Sequence, residues 1–327
     1  MKTAFLCNDK VILNKVYNQE IKNVLGNDVY NKNDVVNNPA LFGDTEYIFS
    51  TWGMPVFSEQ EIREYLPSLK AVFYAAGTVQ SFARPFLSCG VKVFSAWAAN
   101  AVPVAEYTAA QIILANKGFY RSNTLASRGE YKAAAEMSKN YCGNFGATVG
   151  IIGAGMIGKL VINILKGYKL NILVFDPFLP DQTASELGIE KVSLEELFAN
   201  CNVISNHLAN NKQTVGILNG NLFEKMLPYS TFINTGRGAQ VVESDLINTL
   251  KQRPDITAIL DVTYPEPPAN DSELYSLENC ILTPHIAGSS GNEVGRLAEY
   301  MYNEYKAFVS DKPTKYEVTE KMLETMA

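Results

Sequence analysis

The sequence predicts an α/β protein built on parallel β-sheets. Short runs of β-branched residues alternate with helical patterns along the chain, which is typical of parallel α/β architecture. One strand runs directly into a glycine-rich loop that opens a helix, at Gly153–Gly158. A chain of 327 residues is long enough for two domains. Together these observations favour two α/β domains, one of which is a doubly wound parallel sheet.

The first part of the chain contains an α/β series of its own. Its predicted strands are Thr3–Cys7, Tyr47–Thr51, Lys70–Ala75 and Val91–Ser95. Ser58 and Glu61 have the spacing of a capping box, so a helix is predicted to begin there. A long helix is predicted from Pro103 to Lys117, with the proline in its first turn.

A second series begins near Ala147 and supplies the doubly wound sheet. Its six predicted strands are Thr148–Ile152, Asn171–Phe175, Asn202–Asn206, Thr231–Asn234, Ile256–Asp261 and Asn279–Thr283. Helical segments separate most of them, and one helix opens with a capping box formed by Ser193 and Glu196. Parallel strands with right-handed crossovers predict a ligand at the carboxyl ends of the strands.

The last helical pattern, Val294–Phe308, has no sheet of its own to cover. We therefore expect it to pack against the first series of strands. Two hinges are predicted, near Ala98–Ala101 and near Gly288–Gly291. They divide the chain into two domains, which comprise residues 1–98 with 290–327 and residues 99–289.

Composition and charge exclude several classes of partner. With a net charge of −6 and no basic run, the chain has no surface suited to nucleic acid or to an anionic membrane. No apolar run is long enough to span a bilayer, and the start of the chain shows no signal peptide. We therefore expect a soluble, cytoplasmic protein.

The cysteines point to the same compartment. They are an odd number, lie far apart and form no C-x-x-C pair, which argues against a disulfide framework and against a zinc site. We expect no metal site, and we interpret all five as core or surface thiols: Cys7, Cys89, Cys142, Cys201 and Cys280.

The glycine-rich loop has the G-x-G-x-x-G pattern, with Gly153, Gly155 and Gly158. A strand precedes it and a helix follows, so its amides and the helix N-terminus can bind a pyrophosphate. Asp176 ends the next strand, where a carboxylate can bind ribose hydroxyls and repel a 2′-phosphate, which favours NAD over NADP. A methyltransferase also uses a glycine loop followed by an acid, so this loop alone leaves the cofactor class open.

Three later strand ends carry residues suited to catalysis. Arg237 stands between two glycines after one strand. Asp261 and Glu266 follow the next strand, and His285 follows the last. Taken singly, each residue has an equally good explanation without catalysis. Arg237 can be a surface arginine, Asp261 or Glu266 a solvated carboxylate, and His285 a structural histidine. Together, a guanidinium, a carboxylate and an imidazole at successive strand ends of one sheet would share a cleft.

These motifs resemble those of the D-isomer-specific 2-hydroxyacid dehydrogenase family. The resemblance rests on the glycine loop with Asp176 and on "INTGRG", "LDVTYPEP", "LTPHIAGS" and "NAVPVAEYT", and it extends from about Tyr47 to the last helix. It implies a Rossmann domain inserted in a discontinuous, flavodoxin-like α/β substrate domain. It also implies a homodimer formed through the Rossmann domain, with Lys117–Asn144 as the candidate dimer arm.

The resemblance implies a role for each matching residue. Arg237 would bind the substrate, His285 would act as acid/base, and Glu266 would orient the imidazole and favour its protonated form. Asp261 would lie near the nicotinamide amide. The implied cofactor-binding set is Gly153, Gly155, Met156, Ile157, Gly158, Asp176, His207, Thr214, Thr235, Gly236, Arg237, Asp261, His285 and Gly288.

Two positions depart from the commoner residues of the family. Ala209 stands where many members have proline, and Gly236 replaces a commoner serine or alanine. Both departures could alter the fit of the cofactor, but they leave the three catalytic candidates intact. His207 matches a position along the cofactor cleft, although a structural histidine at a strand end explains it equally well.

The substrate itself is less well determined. Trp52 and Gly53 follow one strand of the first series, and Ala76 and Gly77 follow the next. The resemblance implies that amides of the second loop bind the substrate carboxylate. Trp52 and Met54 could wall an apolar pocket for a larger side chain, and ordinary packing explains them as well.

The sequence thus predicts an NAD-dependent oxidoreductase that interconverts a 2-oxo acid and a D-2-hydroxy acid by hydride transfer. An alternative on the same fold is an NAD-sensing, corepressor-like protein in which catalysis is secondary. The chain shows no peptide-binding or regulatory extension, and its complete acid/base set favours the enzyme.

Overall fold

Two units make up the chain in the computed structural model, which describes residues 2–324. The first unit comprises the chain up to Asn100 together with the chain from Ser289 onward. The second unit comprises Ala101–Gly288. Each unit is an α/β sandwich with its own sheet.

The strands of the described chain are β1 (Thr3–Leu6), β2 (Val29–Tyr30), β3 (Tyr47–Ser50), β4 (Ala71–Tyr74), β5 (Lys92–Ser95), β6 (Thr148–Ile152), β7 (Asn171–Phe175), β8 (Glu190–Lys191), β9 (Val203–Asn206), β10 (Thr231–Asn234), β11 (Thr257–Leu260), β12 (Cys280–Leu282) and β13 (Glu317–Val318). The α-helices are α1 (Lys10–Val16), α2 (Gln19–Leu25), α3 (Lys32–Asn37), α4 (Pro39–Phe42), α5 (Glu59–Tyr65), α6 (Ala83–Ser88), α7 (Trp97–Ala115), α8 (Phe119–Ser127), α9 (Tyr131–Ser138), α10 (Met156–Leu165), α11 (Asp181–Leu187), α12 (Leu194–Asn200), α13 (Gly220–Phe223), α14 (Glu243–Gln252) and α15 (Val294–Val309).

The sheet of the first unit has the order β13-β5-β4-β3-β1-β2, and only β13 runs antiparallel to its neighbour. Successive strand residues face opposite sides, so the unit has a hydrophobic core on each face. Phe49, Phe73 and Phe94 are paired in register on one face, where their rings stack. Helix α15 packs onto this face through Leu297 and Met301, as predicted for the last helix.

The sheet of the second unit is entirely parallel and has the order β12-β11-β10-β9-β6-β7-β8. The order reverses between β6 and β9, which makes this the topological switch point of a doubly wound sheet. A hydrophobic core covers each face, so the central strands β6, β9, β10 and β11 are buried on both sides. Ligands of such sheets bind at the carboxyl ends of the strands near the switch point.

Most predicted strands match the observed ones within a residue, and the capping boxes at Ser58 and Ser193 are both present. The strands β2, β8 and β13 were not predicted, because two residues are too short to show a periodic pattern. The prediction for the long helix was wrong at its start. Helix α7 begins at Trp97, so Pro103 lies in its interior. Proline has no N–H, so one backbone hydrogen bond is missing there, and the rest of the helix tolerates this loss.

All five cysteines are free thiols. Burial raises the pKa of Cys201 and of Cys280 to about 12, so neither is an activated thiolate. No helix of residues 2–324 is both long and apolar enough to cross a membrane. Over the same residues, no group of three or more His, Cys, Asp or Glu side chains is arranged to hold a metal ion.

Candidate active site

The glycine loop joins β6 to α10 at the switch point. A Cβ on Gly158 would lie 2.0 Å from the carbonyl oxygen of Gly153, so only glycine permits this close turn. Gly155 faces open space, and no side chain caps the first turn of α10, in which Met156 and Ile157 lie. The uncapped amides and the helix dipole form a site for an anion, which fits the pyrophosphate of a dinucleotide.

Asp176 lies beside this loop, directly after β7. Its Oδ2 accepts a hydrogen bond from the amide of Ala154 at 2.8 Å, and its Oδ1 accepts one from the amide of Phe178 at 2.8 Å. The half-buried carboxylate still has lone pairs for ribose hydroxyls. Its place against the loop fits a cofactor that carries no 2′-phosphate.

His207 is buried at the end of β9, and hydroxyl groups surround its ring. Its Nε2 lies 3.0 Å from Oγ of Ser205, and its Nδ1 lies 3.4 Å from Oγ1 of Thr235. The Thr235 hydroxyl lies 3.2 Å from that of Thr108. Burial lowers the pKa of His207 to about 3, so the imidazole is neutral near pH 7. This geometry supports a structural role for His207, and a contact with the cofactor stays a prediction.

Thr214, Gly236 and Gly288 complete the cofactor-binding prediction. The Thr214 hydroxyl donates to the carbonyl of Ala209 at 2.7 Å, so it holds its own loop. Gly236 is buried directly after Thr235, and Gly288 ends the second unit. Their contacts with a cofactor stay predictions.

His285 and Glu266 form a close pair after neighbouring strands. Nδ1 of His285 lies 2.6 Å from Oε1 of Glu266, and both side chains are partly exposed. His285 has a φ of 54°, a left-handed conformation that non-glycine residues seldom adopt. Because Nδ1 is bound to the carboxylate, Nε2 is the ring nitrogen left for another partner.

Asp261 holds the loop that carries His285, which the sequence did not predict. Its Oδ1 accepts hydrogen bonds from the Thr283 hydroxyl at 2.6 Å and from the amide of Ile286 at 2.8 Å. Its Oδ2 accepts one from the amide of Ala287 at 2.9 Å. These bonds satisfy a buried carboxylate and hold His285 in its strained conformation.

A further hydroxyl supports this loop from α7. The Tyr107 hydroxyl lies 3.1 Å from Oγ1 of Thr283, and it is the donor because the Thr283 hydrogen is used on Asp261. An apolar cleft of about 420 Å³ is lined in part by Glu266 and His285 themselves. Its lining includes Pro268, Tyr275 and Leu282.

Arg237 follows β10 in the same unit. Its Nη1 donates to the carbonyl of Gly236 at 2.7 Å, which leaves the other guanidinium donors for further partners. Burial lowers the pKa of Arg237, and the negative charge of Glu266 opposes this effect. Arginine keeps its charge at neutral pH in spite of such burial, so Arg237 and Glu266 are an interacting pair of opposite charges.

Four of the five residues predicted to bind substrate lie in the first unit, and the fifth, Arg237, lies in the second. Trp52 and Gly53 follow β3, and Ala76 and Gly77 follow its neighbour β4, so the two loops lie side by side. The Ser95 hydroxyl is 2.9 Å from the carbonyl of Ala76 and 2.6 Å from that of Gly77, which anchors the second loop.

The two apolar candidates of the first unit pack into its core. Trp52 packs against both hydrophobic clusters of the unit, and Met54 is buried inside one of them. Ordinary packing therefore accounts for Met54.

Sequence reasoning missed three buried carboxamides close to Arg237, on the residues Asn206, Asn234 and Gln240. A usable signal was present, because an asparagine ends each of two neighbouring parallel strands. Polar residues that close buried strands need partners, and such partners are found at the strand ends.

Comparison with known proteins bears on the identity of the chain. A sequence model described as D-isomer specific 2-hydroxyacid dehydrogenase, NAD binding domain, matches residues 109–287, which is more than half of the chain. D-3-phosphoglycerate dehydrogenase of Archaeoglobus fulgidus is 31% identical over 201 residues, which are 62% of this chain and only 38% of that protein. Glyoxylate reductase of Korarchaeum cryptofilum is 29% identical over 253 residues, which are 76% of each protein.

Among solved structures, the apo form of D-mandelate dehydrogenase from Rhodotorula graminis has a TM-score of 0.82 at 20% identity and covers 98% of both chains. This likeness confirms the predicted fold class, in which a Rossmann domain is joined to a second α/β domain. The match to an NAD-binding domain decides the cofactor class against the methyltransferase alternative. The chain belongs to the D-isomer specific 2-hydroxyacid dehydrogenase family, and its cofactor is NAD.

Proposed function

We propose that the chain interconverts a 2-oxo acid and a D-2-hydroxy acid with NAD as the redox partner. The observation that carries this proposal is the 2.6 Å contact between Nδ1 of His285 and Oε1 of Glu266, near Arg237 in an NAD-binding unit. An acid/base group, its carboxylate partner and a carboxylate-binding guanidinium are the groups that this reaction needs.

Arg237 binds the substrate carboxylate through its planar fork and polarises the neighbouring carbonyl. Its partial burial strengthens both interactions, because less water screens the charge. Its bond to the carbonyl of Gly236 limits the rotation of the guanidinium and so favours one substrate orientation.

His285 moves the proton. Bound NADH supplies the hydride for the carbonyl carbon. His285 donates its Nε2 proton to the carbonyl oxygen, which becomes the hydroxyl of the product, and it takes that proton back in the reverse direction. Glu266 accepts the Nδ1 hydrogen bond, so it sets the orientation of the ring. Asp261 keeps the loop of His285 in place.

The proposed substrate-binding domain comprises residues 1–98 and 290–327, and the proposed NAD-binding domain comprises residues 99–289. The two units of the structure divide within two residues of these bounds, after Asn100 and after Gly288. The loop that carries Ala76 and Gly77 follows β4 and is proposed to bind substrate through its backbone amides. The anchoring of this loop by Ser95 supports a binding role, since a fixed loop loses little entropy on binding. Trp52 and Gly53 lie in the adjacent loop.

A homodimer is proposed through the arm Lys117–Asn144. Helix α8 has no fully buried residue, and Tyr131 at the start of α9 is 75% exposed. Such unpartnered aromatic surface fits an interface with a second copy. Light scattering should give twice the mass of one chain, and Tyr131→Glu should shift the mass towards one chain. A parent protein with the mass of a single chain would overturn this part of the proposal.

The experiment that tests the function is NADH oxidation against a panel of 2-oxo acids of increasing size, from glyoxylate and pyruvate to 4-methyl-2-oxopentanoate and phenylglyoxylate. At least one should give saturable turnover with the D-2-hydroxy acid as product. Binding of NADH without turnover of any acid would favour a sensing role over an enzyme.

A further inference from the structure

A buried group of three carboxamides lies beneath Arg237 at the ends of two central strands. Asn206 ends β9 and Asn234 ends β10, directly opposite each other in the strand register. Gln240 closes the short turn that follows Arg237. Their exposed fractions are 0%, 1% and 0%, so all their polar groups must find partners within the protein. We name these residues the carboxamide cluster.

The cluster is held together by its own hydrogen bonds. Nδ2 of Asn206 donates to Oε1 of Gln240 at 2.6 Å and to Oδ1 of Asn234 at 3.0 Å. Oδ1 of Asn206 accepts from the amide of Leu208 at 3.2 Å. Asn206 is therefore the central member, with both amide hydrogens and its oxygen in use.

One side of the cluster binds both polar groups of the Arg237 backbone, the N–H and the carbonyl. The amide of Arg237 donates to Oε1 of Gln240 at 3.1 Å, and its carbonyl accepts from Nδ2 of Asn234 at 3.2 Å. The preceding amide, of Gly236, donates to Oδ1 of Asn234 at 3.1 Å. The cluster therefore sets the direction of the backbone at Arg237, where the chain has left β10.

The other side of the cluster binds the segment directly after His207. Nε2 of Gln240 donates to the carbonyl of Leu208 at 2.8 Å and to the carbonyl of Ala209 at 3.0 Å. All four bonding positions of the Gln240 carboxamide are then used, two towards this segment and two towards Asn206 and Arg237.

The cluster also explains why glycine precedes Arg237. A Cβ at Gly236 would lie 2.8 Å from Nδ2 of Asn206 and 2.8 Å from Oε1 of Gln240. Both atoms belong to buried, fully bonded side chains, so they cannot move aside without breaking the bonds described above. The glycine and the carboxamides therefore occur together as one arrangement.

We infer that Gln240 is a positioning residue that holds Arg237 in register with the Leu208–Ala209 segment. The inference rests on the proposed function, because it gives Arg237 the task of binding the substrate carboxylate. Gln240 does not touch substrate. It acts by fixing the backbone from which the guanidinium projects, and a small displacement there misaligns the substrate.

The test compares Gln240→Met, which keeps the volume and removes the hydrogen bonds, with a matched control. Asn279→Leu removes another buried carboxamide, whose Nδ2 donates to the carbonyls of Leu250 and Ile256 at the amino end of the sheet. The measurements are KM and kcat for oxo-acid reduction, NADH affinity by fluorescence, the melting temperature, and hydrogen exchange of the peptide covering residues 234–240.

Gln240→Met should lower kcat/KM roughly 10- to 100-fold, with a raised KM for the oxo acid and faster exchange in that peptide. Asn279→Leu should lower the melting temperature and leave the kinetic constants at parental values. If the kinetic constants of Gln240→Met are also parental while its melting temperature falls, the cluster is only structural and the inference is wrong.

Two further outcomes are decisive. If Gln240→Met does not accumulate as folded protein, Asn206→Ala is tested in its place, because it removes the central carboxamide. Its KM for the oxo acid should be higher than that of Asn279→Leu. Equal KM values for these two variants overturn the inference. If the parent protein reduces no oxo acid, the proposed function fails by itself. Hydrogen exchange then decides the positioning role, because exchange of residues 234–240 must rise in Gln240→Met and stay parental in Asn279→Leu.

Discussion

His285 presents its Nδ1 to Oε1 of Glu266 at 2.6 Å, from loops that follow the neighbouring strands β12 and β11. The pair leaves Nε2 free, and Asp261 holds the backbone of the same loop. An imidazole oriented by a carboxylate is suited to proton transfer at Nε2. The proposed reaction therefore depends on His285 as the proton donor.

His285→Ala should lower kcat/KM for oxo-acid reduction by about 10²- to 10⁴-fold, because the general acid is lost. Glu266→Gln keeps a hydrogen-bond acceptor of the same size but removes its charge, so its kcat/KM should fall less than that of His285→Ala. NADH affinity should stay near the parental value in both variants. Near-parental turnover of His285→Ala would remove the histidine from the chemistry.

Arg237→Lys should raise KM for the oxo acid about tenfold or more and should also lower kcat, because lysine keeps the charge but lacks the planar fork. The loss of the bond to the Gly236 carbonyl adds to this effect. NADH titration is the control, and it should give the parental dissociation constant. A lysine variant with parental kcat/KM would show that Arg237 does not bind the carboxylate.

Asp176→Asn should narrow the preference for NADH over NADPH by about tenfold, because it removes the charge that repels a 2′-phosphate. Asparagine keeps one acceptor oxygen, so one of the two amide hydrogen bonds of Asp176 is lost, and the melting temperature of the variant is measured as the control for the loop. The measurement is the ratio of the two dissociation constants at fixed salt. A parent protein that binds NADPH as tightly as NADH contradicts the assignment of Asp176.

Stability should decrease in acid because of His207. Burial lowers its pKa from 6.5 to about 3 in the folded protein. Between these values the unfolded chain binds a proton that the folded protein does not. The free energy of unfolding should therefore fall as pH decreases from 6.5 towards 3, by up to about 1.4 kcal/mol per pH unit from this residue.

The check is urea unfolding of the parent and of His207→Gln across that pH window. Glutamine carries no titrating group and can keep a hydrogen bond to Ser205. The variant should show a shallower loss of stability with acid than the parent. Equal slopes for the two proteins would mean that His207 is not held neutral by burial.

The fold could be predicted from local sequence patterns wherever a strand was long and apolar. Thr148–Ile152 and Thr231–Asn234 were predicted to the residue, because β-branched runs between turn residues have few other interpretations. Helix α7 shows the limit of such patterns. A proline in a first turn and a proline inside a packed helix look alike in sequence, and only the tertiary context distinguishes them.

The candidate site was only partly predictable. His285 and Glu266 were predicted to meet, since strand ends of one parallel sheet converge on the same edge. The bonds of Asp261 to Thr283 and Ala287, and the carboxamide cluster, depend on side-chain directions in loops that no periodic pattern records. Asparagine and glutamine at strand ends have several possible partners, so their network needed the structure.

Direct hydride transfer is tested by following deuterium from NADH that is labelled at both C4 hydrogens of the nicotinamide. The parent protein should convert a 2-oxo acid to a D-2-hydroxy acid that carries the label on C2, and mass spectrometry of the product detects it. His285→Ala should form almost none of this product. Unlabelled product, or NADH consumption with no hydroxy acid formed, would contradict direct hydride transfer to the substrate.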